Sequence, residues 1–153
     1  MPADAQEIFI DLKKILLATD GTKSAINATK YAISLAKIFN AKVRAIFVDE
    51  TGETFKQPDK GTDVYLKGSA IGRPTYKGLV IARLYAKKNG VTCEEVITTG
   101  NVPRNIIESA QEFLPDLIII GNSEKSGIRR SLGSVADAVM KGTDIPVLVV
   151  GDI

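Results

Sequence analysis

At 153 residues, with 44% apolar and 25% charged side chains, the chain has the size and make-up of one globular domain able to bury roughly 70% of its unfolded surface, which excludes disorder and a second core. Its 20 Lys and Arg stand against 18 Asp and Glu, and the resulting net charge of +2 is too small to hold a polyanion such as DNA or RNA. With no histidine and one cysteine, Cys93, Ser-His-Asp hydrolysis and an internal disulfide are excluded, a zinc centre is not expected, and a reducing compartment is favoured.

Residues 1–12 read as a polar leader without the apolar core of a signal peptide, and nowhere do about 18 apolar residues follow one another. Neither export nor a membrane partner is expected, and the location is expected to be cytoplasmic. Residues 13–153 read as a single domain. Lys13 to Ala18 is a short apolar run ending at Thr19-Asp20-Gly21-Thr22, a buried strand followed by a tight turn. Thr22 or Ser24 is placed to cap the helix that follows, whose Ala25, Ala28, Ala32, Leu35, Ala36 and Phe39 recur on one face before Asn40 closes it.

Val43 to Val48 is a second strand. From Asp49 to Thr75 the periodicity dissolves into Gly, Pro, Lys and Asp, a connection longer than most, which reads as a lid or a variable surface loop. Tyr65, Leu66 and Tyr76 are expected to fold back onto the domain. Gly78 to Lys88 is a helix ended by Asn89-Gly90, and Thr92 to Thr98 is a third strand. Cys93 lies in that strand, where a small buried hydrophobe is expected rather than a nucleophile.

Gly100-Asn101 turns into a third helix with the stripe Ile106, Ile107, Ala110 and Phe113, and Pro115 stops it. Asp116 to Ile120 is a fourth strand, and Gly121 to Gly133 a loop of Gly, Ser and basic residues. Val135, Ala136, Val139 and Met140 give a fourth helix its apolar face, and Val147 to Val150 closes the fold. Near-continuous apolar strands alternating with helices indicate a doubly wound α/β domain, a parallel sheet with helices on both faces. Such sheets take ligands beyond the carboxyl ends of their strands, where the winding reverses.

Two turns in that position carry candidate chemistry. Asp20 at the end of strand one can accept hydrogen bonds from a ribose or a ring donor, though Asp and Gly are also ordinary turn formers. The stretch Gly121 to Ser134 leads small and basic residues, Lys125, Arg129 and Arg130 among them, into a helix N-terminus, which suits an anion and is otherwise a solvated connection. No Gly-x-Gly and no Gly-Lys pair occurs, so neither dinucleotide nor Walker fingerprints apply.

Leu17-Ala18-Thr19-Asp20-Gly21-Thr22, Phe47-Val48-Asp49 and the block from Gly121 to Val150 resemble the universal stress protein family. That resemblance implies a five-stranded parallel sheet of order 3-2-1-4-5 and binding of ATP or AMP, with Mg²⁺ only beside ATP. It also implies a homodimer formed through Val147 to Val150, a strand without charge that is expected at an open sheet edge. Nucleotide-binding members carry G-x2-G-x9-G-[ST]. Gly121, Gly133 and Ser134 match the first, third and last positions, whereas Glu124 replaces the second glycine and eight residues rather than nine separate it from Gly133. By resemblance Ala18, Thr19 and Asp20 border the adenosine, Val48 offers its backbone to adenine, and Gly121, Ser123, Gly133, Ser134, Val135 and Ala136 border the phosphates.

Glu124 keeps a second function open. A carboxylate about 4 Å from a phosphate, at an effective dielectric near 20, costs about 4 kcal/mol, roughly a thousandfold in affinity when unscreened. The candidates are therefore an adenine-nucleotide module for stress signalling without efficient turnover, a nucleotide-free dimeric interaction protein of the same fold, and a slow phosphohydrolase in which Asp20 or Asp49 assists Mg²⁺.

Overall fold

The computed structural model describes residues 6–51, 76–122 and 132–151. The apolar run after Lys13 forms β1 (Lys14–Ala18), whose last four residues are buried. Thr22, in an extended conformation, then accepts from the Ala25 N–H and starts α1 (Lys23–Phe39), as an N-cap hydroxyl does. Ser24, the other candidate cap, is buried inside the first turn. Ala25, Ala28, Ala32 and Ala36 face the sheet, so the helix lies close to it. Asn40, at φ 56°, closes α1 and donates its N–H to the Ala36 carbonyl.

There follow β2 (Lys42–Asp49), α2 (Lys77–Lys88) and β3 (Cys93–Thr99). Asn101 caps α3 (Val102–Phe113) by accepting from the Arg104 N–H, and Leu114 ends it in the left-handed region at φ 54°. The helical region is disfavoured for a residue before proline, so the break falls there. Then come β4 (Leu117–Gly121), α4 (Ser134–Gly142) and β5 (Val147–Val150). The periodicity places each of these within one or two residues.

All five strands are parallel, in the order β3-β2-β1-β4-β5. β1 is central, Ile15 pairing with Val43 on one side and Leu117 on the other. α1 and α2 cover one face, around Ile15, Leu17, Val43 and Ile119. α3 and α4 cover the other, around Leu16, Ile46, Ile118 and Val139. Met140, expected on the buried face of α4, is instead 45% exposed, because the contact with the sheet is made by Ala136 and Val139.

The two edges differ. β3 carries Glu94 and Glu95, and Glu94 accepts from Arg44 Nε at 2.7 Å while Arg44 Nη1 donates to Glu112 at 2.7 Å. The Arg44 hydrogen bond holds the Glu94 carboxyl below its usual range. The guanidinium lies 4.3 Å from the centre of the Phe113 ring, joining β2, β3 and α3 in one contact. β5 carries no charge.

Most of the long connection, 52–75, and the loop 123–131 lie outside the described residues, and with them Tyr65, Leu66, Ser123 and Glu124 and the expected lid. Tyr76 does fold back: it is buried, its ring edge-on to Phe47.

Candidate functional site

After β1 the chain crosses to one face as α1, and after β4 it returns on the other as α4. The reversal of winding, and with it the crevice where doubly wound sheets hold ligands, falls between the carboxyl ends of β1 and β4.

On the β1 side, Asp20 is exposed, and its Oδ1 accepts from the Thr22 N–H at 3.0 Å and the Thr22 hydroxyl at 2.7 Å. This side-chain turn leads into α1 and engages one carboxylate oxygen. Ala18 and Thr19 turn to opposite faces, as successive residues of a strand must. Ala18 packs with Ile46, Val48, Ile120 and Ala136 on the α3/α4 face. The Thr19 N–H donates to the Ile46 carbonyl at 3.0 Å. Its side chain is buried against α2 beneath Gly78, where a Cβ would overlap the Thr19 hydroxyl oxygen, so only the backbone of Thr19 is presented to the crevice.

Val48 is buried on the Ala18 face. The neighbouring Asp49 is 7% exposed, its Oδ1 accepting from Thr51 N–H and hydroxyl at 3.1 and 2.8 Å.

The β4 side holds the residues assigned to phosphate. Gly121 lies against the first turn of α1: a Cβ there would come within 2.6 Å of Ala25 N and of the Ser24 carbonyl carbon. Its lack of a side chain therefore serves the packing of β4 on α1. Asn122 donates its N–H to the Val150 carbonyl at 2.7 Å, and its side-chain Oδ1 accepts from the Gly133 N–H. Gly133 is the N-cap of α4, at φ −61° and ψ 150°, with no side chain to accept from the first-turn amides. Ser134 is exposed, Val135 half-buried and Ala136 buried.

Of the expected residues, Ala18, Gly121, Gly133, Ser134, Val135 and Ala136 gather around the ends of β1 and β4. Asp20 stands at the rim, Val48 lies one strand away on the same face, the Thr19 side chain is turned beneath α2, and Ser123 lies outside the described residues. Asn122 was not singled out by sequence. Its signal is an Asn directly after a buried strand and eleven residues before a glycine that starts a helix without a side-chain cap.

No group of three or more Cys, Asp or Glu gathers to hold a metal among the described residues. Burial pushes the Cys93 thiol up to about 12, assisted by the charges of Glu95 and Glu94, so it stays protonated and poorly nucleophilic. No described helix is long and apolar enough to cross a membrane.

Comparison with known proteins places the chain. The universal stress protein family matches residues 11–151. A universal stress protein of Methanocaldococcus jannaschii is 34% identical over 139 residues, covering 90% of this chain and 81% of that protein. One from Helicobacter pylori is 27% identical over 136 residues, covering 88% and 97%. A universal stress protein solved in complex with cAMP superposes with a TM-score of 0.70 at 27% identity, over 94% of this chain and 100% of the other. The family match runs from before β1 to the end of β5 and the strand order agrees with it, and the chain belongs to the universal stress protein family.

Proposed function

We propose that the chain binds an adenine nucleotide, AMP or ATP, across the carboxyl ends of β1 and β4, and that occupancy regulates a partner surface in a stress response without efficient turnover. The observation that carries this is the N-terminus of α4, with no side-chain cap, set at the point where the winding reverses. Main-chain N–H groups and the positive end of the helix dipole favour an anion there. The 27% identical relative in complex with cAMP supports an adenine nucleotide as that anion. In this reading Ala18, Asp20 and the backbones of Thr19 and Val48 border the nucleoside, Ser134 and Val135 hold phosphate through N–H groups beside Gly133, whose own N–H is held by Asn122, and Mg²⁺ enters only with ATP. The setting is cytoplasmic, and the domain spans 13–153. Non-denaturing mass spectrometry of the purified protein, followed by calorimetric titration with AMP and ATP, tests it: absence of both co-purified and titratable nucleotide would sink it.

A nucleotide-free interaction protein is the second reading, favoured by Glu124 in place of a glycine and by the shortened loop. The two part at Glu124→Gly. If the nucleotide reading holds, removing this charge tightens ATP by about tenfold after salt screening, and AMP by less, because repulsion grows with phosphate charge. Calorimetry with both ligands checks it, and equal gains would argue against a carboxylate beside the phosphates.

The same proposal includes a homodimer formed edge to edge through β5. Apolar open edges invite another strand unless charge blunts them. β3 is blunted by Glu94 and Glu95, whereas Val147 to Val150 is not. The carbonyls of Pro146 and Val150 point inward, accepting from Ile118 and Asn122, so by strand alternation the N–H and C=O of Val149 point outward. Val149→Pro removes an outward donor while sparing the β4 ladder. It is expected to leave a folded monomer in sedimentation at micromolar concentration, and an undisturbed dimer would exclude this edge.

A further inference from the structure

Asn122 commits two groups to two different elements. Its main-chain N–H is held by the Val150 carbonyl at 2.7 Å, and its side-chain oxygen accepts from Gly133 N–H. The first hydrogen bond, with the packing of Gly121 against Ser24 and Ala25, fixes where the Asn122 backbone stands. The second reaches across eleven residues of sequence and fixes where α4 begins.

An anion held by main-chain N–H groups depends on their position more than on any one side chain. Displacement of a binding group by about 1 Å is enough to forfeit much of its effect. Gly133 supplies no side chain of its own to anchor this turn, so the Asn122 oxygen is the described contact that sets the α4 terminus against the end of β4.

We propose that Asn122 is the positioning residue of the anion site: it aims the first-turn N–H groups of α4 at the phosphate without touching the phosphate itself. This inference rests on the nucleotide reading above. It deepens that reading by predicting that phosphate, and not the nucleoside, senses the loss of the side chain. It also separates acceptor from charge, since a carboxylate in the same place would keep the clasp while repelling the ligand.

The test compares Asn122→Ala and Asn122→Asp with the parent, titrating adenosine, AMP, ATP and inorganic tripolyphosphate and following hydrogen exchange at the Gly133 amide. Asn122→Ala is expected to expose Gly133 to exchange and to weaken AMP, ATP and tripolyphosphate by about tenfold, the size of one charge-assisted hydrogen bond, with adenosine unchanged. Asn122→Asp is expected to keep Gly133 protected and to weaken the same ligands further, ATP more than AMP. A merely structural role would weaken adenosine and AMP alike. That result, AMP affinity equal to the parent's, or continued protection of Gly133 in Asn122→Ala would overturn the proposal. A parent that binds no adenine nucleotide but binds tripolyphosphate with an affinity that falls in Asn122→Ala would support it while overturning the nucleotide reading. A parent that binds none of the four ligands would overturn both.

Discussion

Gly121→Ala is expected to destabilise the domain by about 3 kcal/mol, the upper part of the range for forcing one extra carbon into a packed interior. The added Cβ would meet Ala25 N and the Ser24 carbonyl carbon at 2.6 Å and the Ser24 oxygen at 2.8 Å. These are main-chain atoms in the first turn of α1, so no side-chain rotation relieves the overlap. Either β4 or α1 must shift, although the middle of β4 is buried and α1 packs one face against the sheet. For a chain of this size the loss corresponds to roughly 10 °C in Tm, which calorimetric melting of the ligand-free protein measures. A change of Tm within error would mean that Gly121 is not held by packing, and would return it to a role in the phosphate turn alone.

Gly133→Asp is expected to lower nucleotide affinity by at least about tenfold, and up to roughly a thousandfold for an unscreened pair at about 4 Å. The fold should survive. At φ −61° and ψ 150° the position is ordinary extended backbone that any residue adopts, and Asp is among the preferred N-cap residues, worth a few tenths of a kcal/mol over Gly. The new carboxylate takes the first-turn N–H groups that the proposed phosphate would use. Titration with AMP and ATP should therefore show lost affinity in a protein that melts no lower than the parent. An unchanged affinity would remove the α4 terminus from the site.

Where local spacing decides the structure, the sequence sufficed. The small residues of α1, the breaks at Asn40, Gly90 and Pro115, and the uncharged β5 each carry their instruction within a few positions. What stayed hidden was what distant segments impose. Gly121 reads as a flexible loop residue until the first turn of α1, about a hundred residues away in sequence, is seen against it. The family resemblance groups Thr19 with Ala18, yet the strand's own two-residue alternation sends their side chains to opposite faces. Asn122 reads as part of a polar loop, because its partner Gly133 is adjacent only after folding. Met140 fits the helical stripe but overshoots the narrow contact that Ala136 and Val139 make with the sheet.

The strand order also has a temporal consequence. β1 pairs with β2 soon after both exist, but its other side is reserved for β4, with Ile15 opposite Leu117. During synthesis about a hundred residues must emerge before that side is covered, and parallel pairings of such span form slowly. Leu16 and Leu17 are wholly buried in the finished protein, yet they would spend that interval beside an unpaired backbone edge. The strand at the middle of the mature sheet is thus an open edge for aggregation in the nascent chain, and the crevice between β1 and β4, which needs β4 in place, is among the last features to be assembled.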